Sequence, residues 1–223
     1  MAAAQHWWPR AAVVAALSLG LGACGGDEVT AFVAGVEPLE PVTATPPAPR
    51  GDDRYPELLN ATSGVLQSHE WVHAYAYVHA PLGPVYEALR DPDVTTDRRR
   101  VTEYSVTRDS EPEYPYSYRV RNVVRDIVTL QFDMDWRLGP LEGTPESPTA
   151  VVGAYQKTWG SSFLSILRGS VVARAVTPEV TSLEMVRHIR ATAAGRNDAE
   201  EYLEDFFASV LARVHGRPLP RYN

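Results

Sequence analysis

His69-Glu70-Trp71-Val72-His73 carries a spacing at which two histidines can share a metal ion. On a helix, His69 and His73 would lie one turn apart on one face and hold zinc. Glu70 would act as general base and His79 would supply a third ligand. The chemistry would be zinc-assisted peptide hydrolysis. Three features oppose it. Ala76 stands where the long form of the motif places a turn glycine, and alanine resists positive φ. The preceding residues do not read as the sheet that supports a catalytic helix in such enzymes. Trp71, Val72, Tyr75 and Tyr77 favour a strand, where residues four apart are separated by about 13 Å, too far for one ion bound at about 2 Å. The segment is read as a strand, with a zinc peptidase using His69, Glu70, His73 and His79 as the alternative.

Other reactive groups are sparse. His188 and His215 lack a serine or cysteine partner at a usable spacing, and Cys24 is the sole cysteine, so nucleophilic triads find no support. Gly-rich phosphate loops, cysteine clusters and GxSxG elbows are absent from the sequence. The reading therefore favours a binding module over an enzyme, with no cofactor. Two cations are singled out. Arg187 shares a strand face with Leu183, Met185, Ile189 and Ala191. There it would bind a ligand carboxylate or phosphate, or pair with Asp133, Asp135 or Glu184. Lys157, the only lysine, reads as a solvated strand lysine, or more sharply as a cavity cation.

Cys24 has its own chemistry. Arg10 is the only charged residue before it, and Ala11 to Gly22 is almost wholly apolar or small, a secretion-signal pattern too short to cross a bilayer. Leu21-Gly22-Ala23-Cys24 resembles the bacterial lipobox, whose cysteine is lipidated. Residues 1–23 are thus expected to be a signal peptide, Cys24 the lipidation site, and 24–53, rich in proline and glycine, a flexible tether. The expected location is the bacterial cell envelope, with inner or outer membrane undecided. The net charge of −7 disfavours nucleic acid as a partner. Anchoring would rest on lipid chains. Oligomeric state is left open.

The elements that must position these groups follow from periodicity. A short helix is expected within Tyr55–Val65, inside a lead-in segment 54–68. His69 to His79 alternates as a strand, and Pro81-Leu82-Gly83-Pro84 opens a helix that Asp91-Pro92 ends. A short turn or second helix precedes Arg98. Strands are expected at Val101–Arg108, Tyr116–Val124, Ile127–Leu138, Ala150–Trp159, Phe163–Ala175 and Thr181–Thr192, an antiparallel meander. In Ile127–Leu138, Val128, Leu130, Phe132, Met134 and Trp136 share one face, and Gln131, Asp133 and Asp135 the other. A helix from Asp198 to Val214 follows, with Asn197 as N-cap, Glu200 completing a capping box, and Gly216 and Pro218 ending it. Leu203, Phe206, Phe207, Val210 and Val214 form its apolar stripe.

This order, with Ala80-Pro81-Leu82-Gly83-Pro84-Val85-Tyr86-Glu87-Ala88-Leu89-Arg90-Asp91-Pro92 in the first helix, resembles the START-like superfamily over residues 69–216, leaving 217–223 as a tail. That superfamily includes polyketide cyclases and lipid-transfer domains. The resemblance implies an α+β helix-grip fold: a curved antiparallel sheet of about seven strands wrapped around a long C-terminal helix, with an apolar cavity between them. Tyr118, Val120, Leu130, Phe132, Met134, Trp136, Met185, Arg187, Phe206 and Val210 are the cavity candidates. The ligand would be a lipid or other hydrophobic small molecule. A filled core serving only as an envelope docking module is the second alternative.

Overall fold

A computed structural model describes residues 27–66, 69–126, 128–192 and 198–222. Cys24 with its lipobox, and the Asn197 cap, lie outside the described residues. In chain order the elements are β1 (Asp27–Val29), β2 (Leu59–Leu66), β3 (His69–Val78), α1 (Leu82–Leu89), α2 (Pro92–Thr95), β4 (Glu103–Arg108), β5 (Tyr116–Arg125), β6 (Thr129–Thr144), β7 (Ser147–Ser161), β8 (Leu164–Thr177), β9 (Val180–Ala191) and α3 (Asp198–Val214). The strands form one antiparallel sheet in the order β2-β3-β9-β8-β7-β6-β5-β4, with β1 joining β7. It is curved and open, and α3 lies in its concavity. Leu203, Phe206, Phe207 and Val210 of the helix are buried with Val72, Trp136, Tyr155 and Met185 of the sheet. The helix pair α1–α2 packs along α3, from Thr95 at Tyr202 to Asp91 at Arg213, with Val85, Ala88, Leu89 and Val94 buried.

The sheet has nine strands where about seven were expected. The two additions are β1 and β2. The expected helix within Tyr55–Val65 is instead β2, which pairs with β3 from Leu59↔Ala76 to Leu66↔His69. Without β2, β3 would present a bare edge, and a full ladder satisfies more backbone groups than a two-turn helix. The turn-rich stretch Gly139–Pro148 largely continues β6 and β7 as a hairpin, closed between Thr144 and Ser147.

The described part of the expected tether is also different. It lies across the outer, convex face of the sheet. Gln156 Nε2 donates to the Ala31 carbonyl at 2.8 Å, and Arg137 donates to the Val33 carbonyl at 2.6 Å and stacks on Phe32. Leu39 N donates to Ser170 Oγ at 2.9 Å, and Asn60 Nδ2 donates to the Thr45 carbonyl at 3.1 Å. Prolines keep this strap extended. Polar side chains on the outer face then satisfy the backbone groups that an extended chain leaves unpaired.

Candidate functional site

The β9 alternation places Leu183, Met185, Arg187 and Ile189 toward the helix, with Arg187 paired to Val72 of β3. Arg187 is 5 % exposed. Its guanidinium carbon sits 3.6 Å from the centre of the Tyr202 ring on α3. Its Nε has no hydrogen-bond partner, and among the described residues no carboxylate lies within 4.0 Å of it. The carboxylates expected to neutralise it are engaged elsewhere. On the outer face Asp133 takes a two-pronged pair from Arg121 at 2.8 Å, and Asp135 takes one from Arg119 at 2.6 and 2.8 Å. Glu184 faces Arg174 at 3.9 Å.

Arg187 lines a cavity of about 60 Å³ between sheet and helix, with Val120, Phe132, Met134, Trp136 and Leu167 as apolar wall and Asn122, Asp97 and Tyr202 as polar groups. Burial pushes the Asp97 carboxyl above the usual aspartate range, against the pull of Arg187 and of nearby amides and Arg100. Tyr202 donates to the Thr95 carbonyl at 2.8 Å, and burial drives its phenol far up. Tyr155 donates to the Val186 carbonyl at 3.3 Å. It fits against β8 because Gly169 is there: a Cβ at that position would fall 2.3 Å from the Tyr155 oxygen. The two phenol protons go to those carbonyls, so the cavity wall carries the Arg187 and Arg100 guanidiniums, the Asn122 amide and a carboxyl whose pKa burial has raised. The guanidinium and amide groups in that set are hydrogen-bond donors.

The other cavity candidates are distributed as follows. Tyr118 is fully buried, its hydroxyl 2.8 Å from Thr95 Oγ1, and stacks on Trp136. Trp136 in turn stacks on Tyr155 at 4.4 Å. Met185, Phe206 and Val210 are core residues packed along α3. Leu130 does not join the core or the cavity; it pairs with Val124 one rung from the open end of β6, and Val128 beside it is exposed. Missing from the sequence reading were Asp97, Asn122 and Tyr202. Tyr202 stands one turn before Phe206, a helical spacing that could have added it to the α3 stripe. Asp97 lies between α2 and β4, where no periodicity marks it.

The metal motif resolves differently. His69-Glu70-Trp71-Val72-His73 is strand, and His79 sits beyond its far end, donating through Nε2 to the Tyr55 carbonyl at 2.7 Å. A distinct cluster forms instead, Glu40 of the strap with His73 and His188 of the sheet, with ligand atoms within 4.8 Å of one another. Thr43 N donates to His73 Nδ1 at 3.0 Å, so that nitrogen bears no proton and Nε2–H donates to Glu40 Oε1 at 2.6 Å. A histidine that binds metal through Nε2 donates from its other nitrogen; His73 accepts there. The cluster is a carboxylate clasp: His188 Nε2 joins the same oxygen at 3.0 Å. Burial raises the Glu40 pKa, but the hydrogen bonds and charges of His188 and His73 outweigh it and leave it lowered.

An open antiparallel sheet gripping a C-terminal helix, with a helix pair between the first long strand and the meander, defines the helix-grip architecture. No family model and no curated protein matches the chain. Among solved structures it is similar to the Zhui aromatase/cyclase from Streptomyces sp. R1128, at 20 % identity, 66 % of this chain, 92 % of that chain and TM-score 0.43. It is also similar to the human StarD13 lipid transfer and protein localization domain, at 10 % identity, 78 % and 88 % coverage and TM-score 0.48. The human StAR-related lipid transfer protein 5 gives 10 % identity, 74 % and 81 % coverage and TM-score 0.44.

Proposed function

We propose that the protein is a bacterial envelope lipoprotein, anchored through Cys24, whose START-like domain binds a lipid or other hydrophobic small molecule with an anionic head, without catalysing a reaction. The observation that carries this reading is Arg187: a buried guanidinium with no carboxylate within 4.0 Å and an Nε without a hydrogen-bond partner, facing an apolar-walled cavity between sheet and helix. Leaving such a charge without a counter-ion is costly. A carboxylate or phosphate ligand would relieve that cost.

A cavity of about 60 Å³ holds about two waters at ~30 Å³ each, so a larger ligand requires the segment between α2 and β4 to move. That segment contributes Thr96, Asp97, Arg100 and Val101 to the cavity wall. It is held to α3 by exposed ion pairs, Arg99 to Asp205 at 2.8 Å and Arg100 to Asp198 at 2.8 Å. The end of β2 and the start of β3, with the β5–β6 and β7–β8 strand ends, lie on one rim of the sheet, where Val65, Leu66, Val128 and Phe163 are exposed. Asp27, three positions after Cys24, pairs with Ser161 on the same rim. This supports a domain held rim-first against the bilayer, with loading from the lipid phase.

The small volume also favours the second reading, a filled core that only docks a partner. Native mass spectrometry of protein purified from its native host separates the two. One hydrophobic acid per chain supports the carrier. No co-purifying molecule, together with destabilisation of Met134→Trp by about 1–3 kcal/mol as in ordinary overpacking, overturns it.

A further inference from the structure

Lys157 is 2 % exposed, and its ammonium has no hydrogen-bond partner. It lines a slot distinct from the helix-side cavity. β7 and β8 pair only as far as Gln156↔Arg168. Beyond that rung β1 takes the place of β8 beside β7, through Val29↔Trp159 and Asp27↔Ser161. The strands therefore part, leaving about 120 Å³ lined by Thr30, Gln156, Lys157, Ser165, Leu167 and Arg168, among others. The carboxylate nearest the ammonium is that of Glu28, at 4.0 Å, beyond hydrogen-bond distance and about half exposed. Among the described residues Arg168 has no carboxylate within 4.0 Å. A buried ammonium without a hydrogen-bond partner and the exposed guanidinium of Arg168 thus flank one slot.

A buried ammonium that makes no hydrogen bond, with its nearest carboxylate 4.0 Å away, recovers only part of the several kcal/mol that leaving water costs. The cost is removed if an anion enters. The slot has about the room of four waters at ~30 Å³ each, which suits a tetrahedral oxyanion, and Thr30 adds a hydroxyl at its wall. We propose that the slot is a phosphate-binding site, with Lys157 Nζ as the buried donor and Arg168 as the second cation. The source is either free phosphate or the head group of an anionic phospholipid. Leu167 walls both the slot and the helix-side cavity, but the proposal does not depend on a ligand in that cavity.

The test uses the purified full-length protein. Because Lys157 is the only lysine, reductive methylation with formaldehyde and cyanoborohydride reports on it alone when the peptide containing it is quantified by mass spectrometry. Inorganic phosphate, against chloride at equal ionic strength, is expected to slow that labelling at least fivefold and to raise Tm in the concentration-dependent way of a ligand that binds only the folded state. Lys157→Met should abolish the Tm response, Arg168→Gln should weaken it about tenfold in concentration, and Glu28→Gln should strengthen it by removing a competing anion. Vesicles of phosphatidic acid, compared with phosphatidylcholine alone, identify the source. Protection by those vesicles without free phosphate assigns a head group, and protection by free phosphate assigns the ion. If neither slows labelling, or if Lys157→Met responds to phosphate as the native protein does, the proposal fails. Should Lys157→Met not fold, the labelling and the Arg168→Gln titration decide alone.

Discussion

Replacing Arg187 by methionine separates a structural from a ligand-binding guanidinium. Methionine keeps an unbranched side chain of similar reach and removes the charge. Exchange of buried ions for apolar residues is commonly neutral or stabilising by about 1–4 kcal/mol. Against this stands the lost contact with the Tyr202 ring at 3.6 Å, worth about 1–2 kcal/mol for a desolvated cation over an aromatic face. The ligand-free variant should therefore lie between about 2 kcal/mol less and about 3 kcal/mol more stable than the native protein, read by urea unfolding. Binding should move the other way. A charge-assisted hydrogen bond contributes about 1.5–3 kcal/mol, and ~1.4 kcal/mol is tenfold in affinity. A fluorescent long-chain fatty acid should then bind Arg187→Met about 10- to 100-fold more weakly, while the corresponding alcohol binds both proteins alike. A stability loss of about 3–5 kcal/mol would mean that a buried ion pair had been broken. An unchanged preference for acid over alcohol would mean that the guanidinium does not meet the head group. Either result refutes the reasoning.

Trp136→Ala removes a 2 % exposed ring stacked between Tyr118 and Tyr155, and denaturant unfolding should show a loss of about 3–5 kcal/mol; a loss below 1 kcal/mol would place the ring at a loose cavity wall. Glu40 has its folded pKa lowered from 4.5, so its contribution to strap docking is fully present above that value and disappears as pH falls through the lower folded value. Hydrogen exchange at Thr43 should accordingly be faster in Glu40→Gln than in the native protein at pH 7, and the two should converge in acid; equal rates at pH 7 would count against the clasp. Metal analysis of the purified protein should show no stoichiometric zinc, because His73 Nδ1 accepts a backbone hydrogen bond; one tightly bound equivalent, lost in His73→Ala, would reverse that assignment. Cys24→Ser should release the protein from the membrane fraction, and a processed variant that still sediments with membranes would sink the anchoring proposal.

Local patterns in the chain determined the elements from residue 69 onward. Period-2 alternation in His69–His79 and in the six later runs, the proline-opened helix before Asp91, and the apolar stripe of Asp198–Val214 each restrict a segment to one conformation by its own geometry. The inward face of β9 was legible for the same reason, so Arg187 could be placed opposite the helix before any contact was known. β2 and the strap were not legible. Leu59–Leu66 lacks alternation of its own and is a strand because β3 offers an unpaired edge. The proline-rich segment reads as free chain until Ser170, His73 and His188, far apart in sequence, supply partners for it.

The tertiary structure alone decided which charges are neutralised. Asp133 and Asp135 pair across one rung with Arg121 and Arg119, which leaves Arg187 alone on the opposite face. It also decided that Lys157 is buried, since a bulge beside Met134 and the parting of β7 from β8 enclose a residue that a regular, isolated strand would leave in water. Face and periodicity are properties of a segment and can be read from it. Whether a charge has a counter-ion depends on which segments meet, and that is fixed only when the sheet closes.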